Sequence, residues 1–211
     1  MTPGETTRRR LVVAWTTPDP AALARRLATG GFTLEGHQLR LPSARIVLVD
    51  GTGPERLIEA RSEADDVGGL GPTHPNAVVD LLAIGWATVD LERALVGSAS
   101  GGPTETLPDD ELLGGRAVRI GSAVPATIVL EPTTEGRLAA SLARVGEGPA
   151  VLYLTGDIRQ WDTPPRPGPY GPSVLVRGGP AHGPHLVVVA SEGWGWATSG
   201  TSPGPPGTIR Q

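Results

Sequence analysis

The sequence has no cysteine and no lysine. Without cysteine there are no disulfides, no thiolate metal sites and no cysteine nucleophile, which agrees with a reducing, cytoplasmic setting. Without lysine, all 18 basic residues are arginine; with 30 glycines and 22 prolines this reads first as coding bias, and arginine forks chosen for carboxylates are the functional alternative. The net charge is -4, with acids and arginines interspersed, so no basic stripe tracks a phosphate backbone and nucleic acid is not an expected partner. Long apolar runs are missing as well. The stretch behind Arg8, Arg9 and Arg10 stops at Trp15 and runs into Thr-Thr-Pro-Asp, so neither a membrane segment nor an export signal is expected. At 211 residues the chain suffices for one ordinary domain or two small ones, folding without covalent staples.

Several enzyme motifs are absent too. Gly51-Thr-Gly53-Pro-Glu-Arg56 follows a strand and precedes a possible helix, but Arg56 stands where a dinucleotide fingerprint needs its third glycine, so a turn is expected. There is no Gly-Lys-Ser/Thr phosphate loop, and Gly97-Ser-Ala-Ser-Gly101 puts Ala99 at the serine of a nucleophile elbow.

What is present is a repeat. Leu11-Val-Val-Ala-Trp15-Thr-Thr17-Pro-Asp19, Leu82-Ala-Ile-Gly-Trp86-Ala-Thr88-Val-Asp90 and Ala150-Val-Leu-Tyr153-Leu-Thr155-Gly-Asp157 each carry an aromatic four residues, and a threonine two residues, before an aspartate. Each reads as an apolar strand ending at an Asp suited to cap a helix. After Asp19 and Asp90 that helix follows; after Asp157, Gly156 and the prolines from 164 to 172 replace it with a long loop. Further strands are expected at 33–41, 45–49, 117–120, 127–130, 173–176 and 185–190. Ile46-Val-Leu48 and Ile128-Val-Leu130 close their units with one tripeptide, and Leu138, Leu142 and Val145 share one face of a helix within 133–146. Loops are expected at 61–76, 97–110 and 156–172.

Strand, Asp, helix and strands in tandem, with Ile128-Val-Leu-Glu-Pro-Thr-Thr-Glu-Gly-Arg-Leu-Ala-Ala-Ser-Leu-Ala-Arg-Val-Gly-Glu-Gly148 leading into a strand, resembles the vicinal oxygen chelate (glyoxalase, bleomycin resistance, dioxygenase) superfamily, in a divergent form of its methylmalonyl-CoA epimerase-like branch. The resemblance covers about Asp80 to Glu192. It implies an α+β fold of tandem βαβββ-type modules whose curled mixed or antiparallel sheets surround a cavity. The expected organisation is a partial βαββ module at 10–60, a linker at 61–79, a central βαβββ module at 80–149, a degenerate module without its helix at 150–198 and a disordered tail at 199–211. The resemblance also implies a divalent metal, held by a His seven residues before the helix-starting Asp and a Glu or Gln four residues before the strand-ending proline. Those positions hold Val12, Ala83, Ala150 and Ile128, and the last strand, where another Glu is implied, reads Leu186-Val-Val-Val-Ala190. Aliphatic side chains donate nothing to a cation, so no metal and no cofactor are expected.

Alternation along the strands places Val12, Ala14 and Thr16, Ala83, Gly85 and Ala87, and Ala150, Leu152 and Leu154 toward the cavity. Ala14, Gly85, Ala87 and Leu152 are therefore candidate ligand contacts. Trp15 and Trp86 fall on the opposite face, as core or as stacking platforms. Arg119 and Arg177 stand in apolar strands and must reach solvent, a carboxylate or an anionic ligand. The segment Trp161 to Tyr170 is either a lid over the cavity mouth or a packed surface loop. His37 and Glu131 are candidate acid-base residues, against a half-buried histidine and a turn or capping glutamate. His182 and His185 are close in sequence but lack a third ligand nearby.

The function expected is binding of a small, largely apolar molecule in a strand-lined cavity without the usual metal. The alternatives are a divergent lyase, isomerase or hydrolase with relocated acid-base residues or a metal held elsewhere, and a structural or regulatory subunit with a filled cavity. A homodimer is a possible assembly under the resemblance.

Overall fold

In a computed structural model, residues 9–64, 72–97, 102–176 and 183–191 are described; Arg177, His182 and the 199–211 tail lie outside them. The chain runs β1 (Arg9–Thr17), α1 (Pro20–Thr29), β2 (Leu34–Glu35), β3 (Gln38–Arg40), β4 (Ala44–Asp50), β5 (Arg56–Ala64), β6 (Val78–Ala87), α2 (Leu91–Gly97), β7 (Thr104–Asp110), β8 (Gly115–Ile120), β9 (Ala126–Pro132), α3 (Arg137–Val145), β10 (Gly148–Gly156), a 3-10 turn (Ile158–Gln160), β11 (Ser173–Leu175) and β12 (His185–Ala190). No helix among the described residues is long and apolar enough to cross a membrane.

The repeated aspartates do the same local work three times. Asp19 Oδ1 accepts from Ala22 N at 2.8 Å, Asp90 Oδ1 from Arg93 N at 2.9 Å and Asp157 Oδ1 from Arg159 N at 3.1 Å, each satisfying a backbone donor that the first turn leaves open. Pro20 then sits at the start of α1, where its fixed φ costs nothing. After Asp157 the turn ends at Gln160, because the proline-rich sequence beyond it cannot supply helical N–H donors.

Two sheets result, ordered β2-β3-β4-β1-β5 and β11-β12-β10-β6-β9-β8-β7. In every unit the first strand lies parallel to the last: β1 with β4, β6 with β9, β10 with β12. The second and third units join through antiparallel β6 and β10 into one mixed sheet, which with its helices makes an α+β fold. The first unit forms its own sheet, with β5 antiparallel on β1.

Three local expectations need correction. The single strand expected over 33–41 is broken at Gly36, whose φ of 60° turns the chain, so two short strands, β2 and β3, stand in its place. The residues beyond Gly53 form β5 instead of a helix, because Leu57 is drawn into the core beside Trp15. Part of the loop expected over 97–110 is β7. It is an edge strand, where Pro108 is tolerated and the pairing with β8 slips between Leu107 and Asp110.

The larger sheet packs through both of its faces. Leu152, Leu154, Leu186 and Val188 form one cluster with Val13, Trp15, Ile46 and Leu48 of the first sheet and Leu23 and Leu27 of α1. On the other face Ala83, Ala87, Ile128, Leu130, Val151 and Tyr153 pack beneath Leu138 and Leu142 of α3. Leu91 of α2 covers Val118 and Val129.

Polar side chains tie the first unit to the rest. Asp80 Oδ1 accepts from the N–H and the hydroxyl of Ser43, at 2.9 and 2.7 Å. His74, only 3% exposed, accepts from Thr33 N at Nδ1 (3.1 Å) and faces Arg40 O with Nε2 (3.2 Å). An N–H only donates and a carbonyl only accepts, so the neutral imidazole carries its proton on Nε2. Burial holds its pKa below the ordinary 6.5, against the Arg40 hydrogen bond. The unfolded chain therefore takes up the proton first. Stability from this group is complete above pH 6.5 and is lost as the pH falls through the lowered native value. His74→Ala is expected to cost about 1–3 kcal/mol at neutral pH, with the difference from wild type shrinking in acid, as read by urea unfolding across that window. A difference that stays constant with pH would rule out the neutral-histidine link.

Candidate functional site

The positions on β6, β9, β10 and β12 that the resemblance assigns to metal and ligand are buried, while Val12 on β1 is half-buried. Ala83, Ile128, Leu186 and Val187 are at most 1% exposed and Ala150 is 6% exposed. Among the described residues no group of three His, Cys, Asp or Glu side chains is placed to hold a metal ion. The donor set at the family's ligand positions is aliphatic, so a divalent cation does not fit there. A Cβ added to Gly85 would lie 2.8 Å from Leu130 Cδ1, 2.9 Å from Val151 Cβ and 3.1 Å from Tyr153 Cε2. Gly85 and Ala87 therefore floor a side-chain core.

Two polar contacts sit inside this packing. Tyr153 donates its hydroxyl to Asp110 Oδ2 at 2.7 Å, and Asp110 Oδ1 accepts from Leu113 N at 2.9 Å. Burial raises the Asp110 pKa, partly offset by the Tyr153 hydrogen bond and the Leu113 and Leu112 N–H groups; burial, then the Asp110 charge, raises that of Tyr153 well above its ordinary value. Ser141 Oγ of α3 lies 3.0 Å from His185 Nε2. All four side chains are at most 2% exposed, so no substrate reaches them and they pin β7, β10, β12 and α3 together. Tyr170 stands edge-on to Tyr153, 6.3 Å between centroids, with its pKa raised to about 12 mainly by burial. It is part of the packing.

The other candidates are dispersed. Leu152 faces the first sheet, away from Gly85, because the β10–β6 pairing slips between Pro149 and Val151 and reverses the alternation expected from Ala150. Ala14 pairs with Val47 and Ile58 within the first sheet, where it is half-buried and apart from Gly85. Arg119 meets the carboxylate of Glu105 at 3.0 Å. Trp161 lines a shallow groove of about 730 Å³ against α1, together with Arg25, Arg26 and Asn76. His37 is exposed at the β2–β3 turn of one sheet, whereas Glu131 stands on β9 of the other, accepting from Leu91 N at 3.1 Å and from the Arg116 guanidinium.

An open cleft of about 540 Å³ lies instead between the two sheets, on the face opposite Gly85. Leu11, Val13 and Ile58 form one wall; Ile84, Trp86 and Val129 form the other. Trp86 is 39% exposed, so it is a wall of this cleft and not the core residue that alternation suggested. α2 leaves it uncovered because Leu91 packs on Val118 and Val129, further across the sheet. The polar part of the lining is Thr88, Arg93, Thr127 and Glu147. Glu147 Oε1 accepts from Thr88 Oγ1 (2.7 Å), Val89 N (2.9 Å) and Arg93 Nη2 (2.6 Å). The Thr88 and Val89 hydrogen bonds, with the Arg93 charge, hold its pKa below the ordinary carboxylate value. Sequence reasoning missed Arg93 and Glu147, since a lone Arg on a short helix and a Glu between two glycines carry no motif for this pairing. The available signal was Trp86, set aside on its strand parity.

No family model matches the chain, and no curated protein matches it. Solved structures similar to it include a variant of the Streptomyces coelicolor methylmalonyl-CoA epimerase in complex with 2-nitronate-propionyl-CoA, at 21% identity, covering 53% of this chain and 96% of that one, with a TM-score of 0.43. The methylmalonyl-CoA epimerase of Mycobacterium tuberculosis is similar at 20% identity over 54% of this chain and 89% of that one, with a TM-score of 0.42. A hypothetical protein of Bacillus halodurans is similar at 20% identity over 53% and 93%, with a TM-score of 0.41.

Proposed function

We propose that this chain is a divergent, non-chelating protein of vicinal oxygen chelate type that binds a small, largely apolar molecule in the cleft between its two sheets. The half-exposed Trp86 wall of a 540 Å³ cleft carries this reading. Ligand sites typically have such volumes and such apolar lining with a few polar groups at one side. A large aromatic exposed inside a concavity gains most from a flat apolar partner that displaces its water.

The neutral fluorescent probe N-phenyl-1-naphthylamine tests it. The probe is expected to bind saturably at one site, and Trp86→Ala to weaken it about tenfold or more, the range typical of a central aromatic anchor. Equal binding to both proteins would remove the cleft as the site. The packed face around Gly85 supports a second reading, a structural or regulatory subunit, whose test is self-association by light scattering.

A further inference from the structure

We infer that the ligand of this cleft is an aromatic anion, its ring against Trp86 and its carboxylate or similar group on Arg93; this rests on the cleft being the ligand site. Among the described residues, Arg93 and Glu147 are the formally charged side chains that line it. They are not equally available. Glu147 Oε1 already accepts three hydrogen bonds, two of them from Thr88 and Val89, which fix the entry to α2. Its side chain is 38% exposed, against 60% for Arg93. Arg93 commits one N–H, on Nη2, to that carboxylate, and a guanidinium has five, so most of its donors face a ligand or water. Glu147 thus acts as a positioning residue, holding a half-used cation at the side of an apolar cleft.

A guanidinium fork matches the paired oxygens of a carboxylate, and its charge strengthens those bonds. The rest of the molecule is set by the walls. Trp86 is flanked on its own sheet by Val129 and Pro149, its partners in the strand pairing, and faces Leu11, Val13 and Ile58. A planar ring uses that surface better than a flexible chain, because it loses less rotational freedom on binding. The exposed hydroxyl of Thr127 adds one polar group for a ring substituent.

Titration calorimetry with 2-naphthoate, 2-naphthamide and protonated 2-naphthylmethylamine, which share one ring system, tests the assignment. Naphthoate is expected to bind about tenfold to a hundredfold tighter than the amide, the span of a charge-assisted hydrogen bond, with the advantage falling as salt is added. Arg93→Gln should abolish that advantage while leaving the amide unchanged, and Arg93→Lys should restore part of it. Arg93→Gln/Glu147→Gln removes both charges, so equal binding of acid and amide there shows that the loss is not repulsion from an unpaired Glu147. If the amide binds as tightly as the acid to the wild-type protein, or the double variant keeps the preference, the anion assignment is wrong although the cleft reading stands. If no naphthalene and no N-phenyl-1-naphthylamine binds, the cleft reading falls with it.

Discussion

Replacing Gly85 by valine is expected to lower the unfolding free energy by about 3 kcal/mol, the upper end of the cost of overpacking a core. The added Cβ alone would stand under 3.0 Å from Leu130 and Val151, and the two methyls beyond it find Tyr153. Those three side chains are fully buried, so none has a solvent side to retreat to. Relief of the glycine entropy penalty in a strand offsets only about 1 kcal/mol. Gly85→Ala should cost less, and its deficit against valine in urea unfolding measures how tightly the face is packed. A valine variant within about 0.5 kcal/mol of wild type, the ordinary scatter of neutral substitutions, would mean that this face has spare room. A ligand cavity of the usual family kind would then be tenable again.

Removing the Tyr153 side chain is expected to cost about 3–5 kcal/mol, as for other large aromatics deleted from a core. Tyr153→Phe separates the polar part: it keeps the volume but leaves Asp110 Oδ2 without its 2.7 Å donor, at a cost of about 1–3 kcal/mol. The pH dependence identifies the group. Asp110 has a native pKa above its ordinary 3.8, so its folded form holds the proton longer than the unfolded chain does. Its stabilising contribution is complete below pH 3.8 and is lost as the pH rises through the native value. Tyr153→Phe removes a hydrogen bond that lowers this pKa, so the loss on going from acid to neutral pH should grow. Asp110→Asn should show no such slope, since the amide does not titrate. Unfolding curves for the three proteins at several pH values read this directly, and identical slopes would show that Asp110 is not the titrating group.

The repeat was legible because its signals are local. An aspartate two residues after a threonine offers its carboxylate to the next turn wherever it occurs, and Asp19, Asp90 and Asp157 all do so. Thr17 and Thr88 likewise accept from the aspartate N–H, at 3.3 and 3.2 Å. Thr155 departs from the pattern and reaches Asp80 O at 3.4 Å, beside a glycine where the helix is lost. β7 was not legible. Its proline and acids argue against a strand, and only its place at a sheet edge makes them acceptable.

Which face of each strand matters could not be read in the same way. Alternation holds along a strand only while its pairing is regular, and the slip between Pro149 and Val151 put Val151 and Tyr153, instead of Leu152 and Leu154, beside Gly85. No single residue announces that slip, since it arises from two strands meeting.

The sequence by itself therefore determined three apolar strands, each ending at a capping aspartate, and an aliphatic set where the resembled family binds metal. The tertiary structure alone decided that α3 and Tyr153 fill that face, and that the open space lies between the sheets beside Trp86. The reason is one of range. Capping and strand propensity act within a few residues, whereas a cavity is what remains after distant side chains have packed, and its place depends on all of them together.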